Sequence, residues 1–193
     1  MSAAKQKGLT LIEMMIALIL ALLVSAAILT IFVSNIKSSA ENIKMIQLNQ
    51  ELRAVMSFMS DELKRHGYDS DADPSLMQTL FVSAGEDCVV YAYEGASAAV
   101  ATLSRGFRLN GSAIEWSDQN TTGCATASGN WRDLTSNNIQ ITTFNVDPAN
   151  TASAATVTIQ RLDVTVTGVR QLNPGVASRT LRETVRIRNE DGT

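Results

Sequence analysis

Gly8-Leu9-Thr10-Leu11-Ile12-Glu13 runs without a break into an apolar tract over residues 14–33, and the reading of that junction decides the architecture. A short leader carrying Lys5 and Lys7 ends in glycine, and a single carboxylate, Glu13, stands where the apolar residues begin. A hydrocarbon core about 30 Å thick is crossed by about 20 helical residues, which is the length of this tract. Ser25 and Thr30 are its only polar interruptions, and each can bond back to a carbonyl of its own helix. No Pro or Gly interrupts it. Lysines ahead of the tract predict that the first eight residues stay in the cytoplasm and that the rest faces the periplasm or the outside. A carboxylate at the edge of hydrocarbon is costly unless it is paired or reaches the interface, so Glu13 calls for a partner.

Two ordinary explanations leave part of this junction unexplained. A secretory signal would use Val24-Ser25-Ala26 as a small-residue cleavage site, but the apolar run continues through Ile28, Leu29, Ile31, Phe32 and Val33. A plain single-pass anchor explains the length but neither Gly8 nor Glu13. The string Lys7-Gly8-Leu9-Thr10-Leu11-Ile12-Glu13-Met14-Met15-Ile16-Ala17 resembles the leader and first helical turns of type IV prepilins and type II secretion pseudopilins. That resemblance implies cleavage after Gly8 by a membrane prepilin peptidase and N-methylation of Leu9. It also implies an assembly role for Glu13, the fifth residue of the mature chain, against the terminal amine of a neighbouring subunit. The chemistry is coherent. Glu13 lies one helical turn beyond the amine created at Leu9, and helix N-termini favour negative charge. Stripping one partner from a buried ion pair costs about 3–5 kcal/mol. Two features depart from the commoner pattern: Leu9 stands where Phe is more frequent, and the first half of the helix lacks the Pro of many major pilins. An unbroken helix is therefore expected, as in a minor pilin.

Beyond Ser34-Asn35 the pattern turns amphipathic. Met45, Leu48, Leu52, Val55, Met59 and Leu63 recur at i+3/i+4 spacing and make one apolar stripe, which reads as ordinary core. Glu41/Lys44, Asp61/Lys64 and Asp61/Arg65 have the spacing of helical ion pairs. The basic run Lys64-Arg65-His66 followed by Gly67 signals a C-terminus. One helix over residues 9–66, about 80 Å long by its rise, is predicted.

From Tyr68 onward the pattern is β. Cys88-Val89-Val90-Tyr91-Ala92-Tyr93 has strand propensity, and Asn110-Gly111 between Phe107-Arg108-Leu109 and Ala113-Ile114-Glu115-Trp116 signals a hairpin. Residues 139–144 and 156–169 read as strands, the second with a slip at Arg161-Leu162 that suggests a bulge. In the last strand Leu181, Val185 and Ile187 face one way, and Arg182, Thr184, Arg186 and Arg188 the other. Such alternation fits an antiparallel sheet with one wet face, onto which the amphipathic half of the helix would be laid. Polar loops are expected over residues 69–75, 95–104, 117–130 and 145–155, and fraying over 189–193. There is no internal repeat. The expected organisation is a leader at 1–8, a transmembrane and assembly segment at 9–34, an amphipathic segment at 35–67 and a β-rich head at 68–193. The two cysteines, Cys88 and Cys124, are expected to form a disulfide if the head is exported to an oxidising compartment. A zinc site is disfavoured, since only His66 could join them.

Further pieces extend the resemblance: Leu63-Lys64-Arg65-His66-Gly67-Tyr68, Asp87 to Tyr93, Phe107 to Trp116, Cys124 to Trp131, and Thr184-Val185-Arg186-Ile187-Arg188-Asn189. Together they are similar to PilW-type minor pilins, with type II secretion pseudopilin J as a close rival. The resemblance implies an α+β, type IV pilin-like fold and a subunit that helps initiate or cap a fibre for motility, adhesion or DNA uptake. The implied partners are prepilin peptidase, other minor and major pilins and the inner membrane. The competing class is a membrane-anchored binding or adhesion domain that does not polymerise. No enzyme is expected, because there is a single histidine, no phosphate loop and no acid/base constellation. No cofactor or metal is expected either. Asp69-Ser70-Asp71-Ala72-Asp73-Pro74 fails as a calcium loop, having Pro74 and Leu80 where Gly and a carboxylate are required. A net charge of -3 gives no support to nucleic-acid binding, and the arginines of the last strand read as a solvated sheet face.

Overall fold

The computed structural model describes residues 10–68, 80–94, 104–118, 121–125, 129–148, 152–154, 157–159 and 161–187. The chain divides into two compact units, Met1–Ile43 and Lys44–Thr193.

Helix α1 spans Leu11–Leu63 without interruption, as the absence of Pro and Gly predicts. From Leu11 to Val33 it is apolar on nearly every side, and the large hydrophobic residues there are between 48 and 79% exposed. These side chains are not buried, and the helix is long and apolar enough to cross a membrane. The hydroxyl of Thr30 donates to the Ala26 carbonyl at 2.9 Å, so its polarity is hidden inside the helix.

In the second unit the helix becomes one-sided. Leu48, Leu52, Val55, Met56, Met59 and Leu63 are buried. The predicted stripe thus gains Met56 and loses Met45, which is 38% exposed. The helix stops three residues short of His66, and residues 64–67 form turns. Gly67 adopts φ 74°, a conformation that favours glycine, and its N–H donates to the Ala92 carbonyl at 2.9 Å.

The strands make three antiparallel sheets rather than the single one expected. β1 (Phe81–Val82), β2 (Cys88–Ala92), β3 (Ser104–Asn110), β4 (Ala113–Ser117) and β5 (Trp131–Asp133) form a meander in chain order. β6 (Gln140–Asp147), β9 (Arg161–Gln171) and β10 (Val176–Arg186) form a second sheet, ordered β10-β9-β6. β7 (Ala152–Ala154) and β8 (Val157–Ile159) make a small hairpin of their own. The stretch 156–169 is therefore two strands, and the register shift of this sheet lies in β6, between Ile141 and Thr143, not at Arg161-Leu162. The β3–β4 turn is also one residue later than Asn110-Gly111 suggests. Asn110 pairs with Ala113, Gly111 has φ 60°, and Ser112 has no positive φ, a II′-type pattern.

One core unites these elements. The stripe of α1 packs with Val89, Tyr91, Phe107 and Ile114 of the meander and with Ile141, Phe144, Val146, Leu162, Val164, Val166 and Val185 of the second sheet. Two backbone bonds stitch the sheets together, Ile141 N–H to Ser112 O at 2.8 Å and Val146 N–H to Glu86 O at 2.7 Å. Gly168 sits where the helix comes closest: a Cβ there would lie 2.9 Å from Leu52 Cδ2.

Candidate functional site

The helix start is organised by Thr10 and Glu13. Glu13 Oε2 accepts from the Thr10 N–H at 2.9 Å and from the Thr10 hydroxyl at 3.0 Å. Thr10 Oγ1 accepts in turn from the Glu13 N–H at 3.4 Å, and Thr10 O takes the first helical bond from Met14 N–H. This is a reciprocal capping box, with Thr10 as N-cap and Glu13 at N3. Sequence reasoning gave Glu13 a partner in another subunit and overlooked the Thr-x-x-Glu signature that gives it one inside its own helix. Gly8 and Leu9, the expected cleavage and methylation positions, lie outside the described residues, as does the acidic run 69–74.

The head carries two buried polar centres. The first fastens the end of α1 to β2. Glu62, on the helix, accepts from the hydroxyls of Tyr91 at 3.2 Å and Tyr93 at 2.9 Å through Oε2, and pairs with Arg65 through Oε1 at 3.2 Å. Trp116 Nε1 donates to the Tyr91 hydroxyl at 3.4 Å. Burial, reinforced by the Glu62 carboxylate, pushes the Tyr91 phenol well above its usual range, and burial raises Tyr93 as well. Arg105 stacks on Tyr93 with its guanidinium carbon 3.7 Å from the ring centre. His66, 1% exposed, directs Nδ1 at the Ala92 backbone, 3.1 Å from O and 3.4 Å from N.

The second centre holds the cysteine loop. Cys88 of β2 and Cys124 form a disulfide with Cα atoms 6.1 Å apart. Arg108 of β3 binds the Glu115 carboxylate of β4 through Nε and Nη2, both at 2.6 Å, and donates from Nη1 to the Cys124 carbonyl at 2.8 Å. Asn110 Nδ2 donates to the other carboxylate oxygen at 2.8 Å, and Arg108 lies 4.4 Å from the centre of the Trp131 ring. Arg108 and Glu115 face each other across the hairpin, one residue pair from the buried Phe107, and their mutual bonds offset the cost of burying two charges. Gly106 is required here: a Cβ would meet Trp131 Cη2 at 2.9 Å and Val89 O at 3.0 Å.

Both centres are fasteners. Their groups are bonded to one another, no nucleophile is joined to a base, and no group of three or more metal-binding side chains gathers among the described residues. What the molecule leaves unspent is the apolar surface of the N-terminal helix unit.

A free apolar helix opened by a Thr10–Glu13 cap, on a disulfide-bonded head of antiparallel sheets, defines an α+β protein of type IV pilin-like fold. Residues 3–29 match the prokaryotic N-terminal methylation motif, and residues 41–187 match the family described as prepilin peptidase-dependent protein B. The chain belongs to that family. No curated protein and no solved structure matches the chain significantly. The family is one of pilin-type structural proteins processed by prepilin peptidase, and the motif together with the apolar helix makes this a single-pass, membrane-anchored member.

Proposed function

We propose that the protein is a minor pilin that helps initiate or cap assembly of a type IV pilus. Prepilin peptidase cuts between Gly8 and Leu9 and the new terminus at Leu9 is methylated. The observation that carries this reading is the methylation motif set on a helix whose apolar surface is unburied on all sides. Such a helix has two stable environments, a bilayer or a bundle of similar helices, and transfer between them leaves the apolar contact intact. The step that drives transfer is then electrostatic. Glu13 exchanges its Thr10 bonds for the amine of a neighbouring subunit's Leu9, a charge-assisted pair in a dry bundle. The leader lysines hold the N-terminus in the cytoplasm, and the head faces the periplasm until it is carried out on the fibre. The disulfide fits that compartment. The partners are prepilin peptidase, other minor and major pilins and the inner membrane. A type II secretion pseudopilus tip uses the same parts and is the second reading.

Mass spectrometry of the protein from its native membrane tests the processing step. The expected product begins at N-methylated Leu9. A chain that retains Met1, or that begins at Ala27, overturns the proposal in favour of an anchored or a secreted domain.

A further inference from the structure

The edges of the two larger sheets are treated unequally. β1 and β5 are edges of only two and three residues, and β6 bonds across to the meander through Ile141 and Val146. β10 runs for 11 residues at the end of its sheet, and among the described residues its backbone bonds only to β9. A long unpaired edge is a template for another strand, and proteins ordinarily shorten or cover it.

Charge says which strand it accepts. Arg161, Arg170, Arg179, Arg182 and Arg186 lie on the β9–β10 hairpin against two acids, Asp163 and Glu183. Among the described residues none of the five arginines makes an ion pair, while Asp163 accepts from Thr184, and Glu183 from Ser60 with Lys64 3.9 Å away. Arg161 and Arg186 are direct cross-strand partners, a like-charge pairing that costs stability. The rest of the chain runs the other way, with 11 Lys and Arg against 17 Asp and Glu. Arg182 and Arg186 share the outer face of β10, four residues apart.

We propose that the open edge of β10 takes an extended acidic segment of another pilus subunit as an added strand. Main-chain bonds hold it, and acids four residues apart on one face sit beside Arg182 and Arg186. The arginines exclude neutral and basic strands, so the edge selects its partner instead of aggregating. Naming the donor a pilus subunit rests on the assembly reading; the capacity to bind an acidic strand does not.

The test uses detergent-solubilised full-length protein and three fluorescein-labelled decapeptides, read by anisotropy. They are an alternating Thr-Glu peptide, its Thr-Lys counterpart, and the Thr-Glu peptide with alternate amides N-methylated, which keeps the charge and loses strand pairing. The Thr-Glu peptide is expected to bind at least tenfold more tightly than either of the others. Arg182→Glu with Arg186→Glu should weaken it at least tenfold, with an unchanged circular dichroism spectrum and a melting midpoint no lower than the parent's, since Glu at 186 faces Arg161. The same pair changed to lysine should stay within threefold of the parent. Equal binding of the N-methylated peptide overturns strand addition, and equal binding of the Thr-Lys peptide overturns acid selection. Tighter binding of a 20-base-pair duplex than of the Thr-Glu peptide, lost in the same glutamate variant, overturns the proposal in favour of nucleic acid. Because binding is measured whether or not Gly8 has been cut, failure here is distinguishable from failure of the processing assay.

Discussion

Glu13 caps its own helix and, in the proposed assembly, also pairs with a neighbour's amine; substitutions separate the two roles. Gln keeps the N3 capping geometry and removes the charge, whereas Ala removes both. Glu13→Gln is therefore expected to leave the helix start and membrane insertion intact and to reduce incorporation into the fibre at least tenfold, as measured by immunoblotting sheared surface fractions. Incorporation at the parental level would leave Glu13 as a helix cap and nothing more. Tyr91 offers a second residue-scale test. Its phenol is buried against Glu62, so its folded pKa lies well above the unfolded value of about 10. The stability this contributes is complete below pH 10 and is lost as pH rises above it, because the unfolded chain then releases the phenolic proton first. Urea denaturation should show that alkaline decline in the parent and a shallower one in Tyr91→Phe. At neutral pH Tyr91→Phe should cost about 1.5–3 kcal/mol, since the bond lost is to a buried carboxylate and Trp116 Nε1 loses its acceptor.

At the scale of elements, the contact of α1 with β9 depends on an absent side chain. Gly168→Ala places a methyl 2.9 Å from Leu52 Cδ2 and 3.4 Å from Leu48 Cδ1, against two side chains that are themselves buried. Overpacking of this kind costs about 1–3 kcal/mol. Leu52→Ala, which opens a cavity at a fully buried position, should cost about 2–5 kcal/mol. Both are read as shifts in the denaturation midpoint. The double variant should be less than additive, because the alanine at 52 vacates the space that the new methyl needs. The disulfide acts between elements, tying β2 to the segment that Arg108 and Trp131 also hold. Cys88→Ser with Cys124→Ser is expected to lose about 3–4 kcal/mol, by the chain-entropy relation for a loop of this length. The Arg108–Glu115 pair should keep the β3–β4 hairpin formed in that variant, visible as retained slow amide exchange at Arg108 and Glu115, which form a hydrogen-bonded pair of that hairpin.

For the whole molecule, the two units have opposite requirements. Among the described residues every buried core residue lies between Leu48 and Ile187, inside the second unit, while the first exposes the large apolar side chains from Leu11 to Val33. A chain beginning at Lys44 should therefore be soluble and melt cooperatively, whereas the full chain should need detergent or lipid. Aggregation of the truncated chain on expression would show that the helix upstream of Lys44 supplies part of the head's stability.

How far these features could be read beforehand differs from element to element. The membrane-length helix and the buried stripe were legible because each rests on local composition or periodicity over many residues, whereas the helix end was placed at His66, three residues beyond Leu63. The β3–β4 hairpin was legible for the same reason, though its turn was misplaced by one residue, since Asn-Gly signals a turn without stating which two residues occupy the loop. The long β9–β10 hairpin went unseen as a unit. Its turn signal, Asn173-Pro174-Gly175, stood in plain view between strands read as separate. Glu62 and Arg108 escaped notice because nothing near them in sequence marks a buried charge. Apart from Arg65, three residues beyond Glu62, their partners come from other strands, from the residue after β2 or from the cysteine segment.

The amino-acid order by itself determined what short-range physics decides: where a helix starts, how much of it is oily, where it stops, and which strand faces stay dry. Division into separate sheets, the Glu62 hub, the approach of Leu52 to Gly168 and, among the described residues, the terminal place of β10 in its sheet were decided only by the tertiary structure. Each of these depends on which distant segments meet, and that is settled by the packing of the whole core rather than by any window of neighbouring residues.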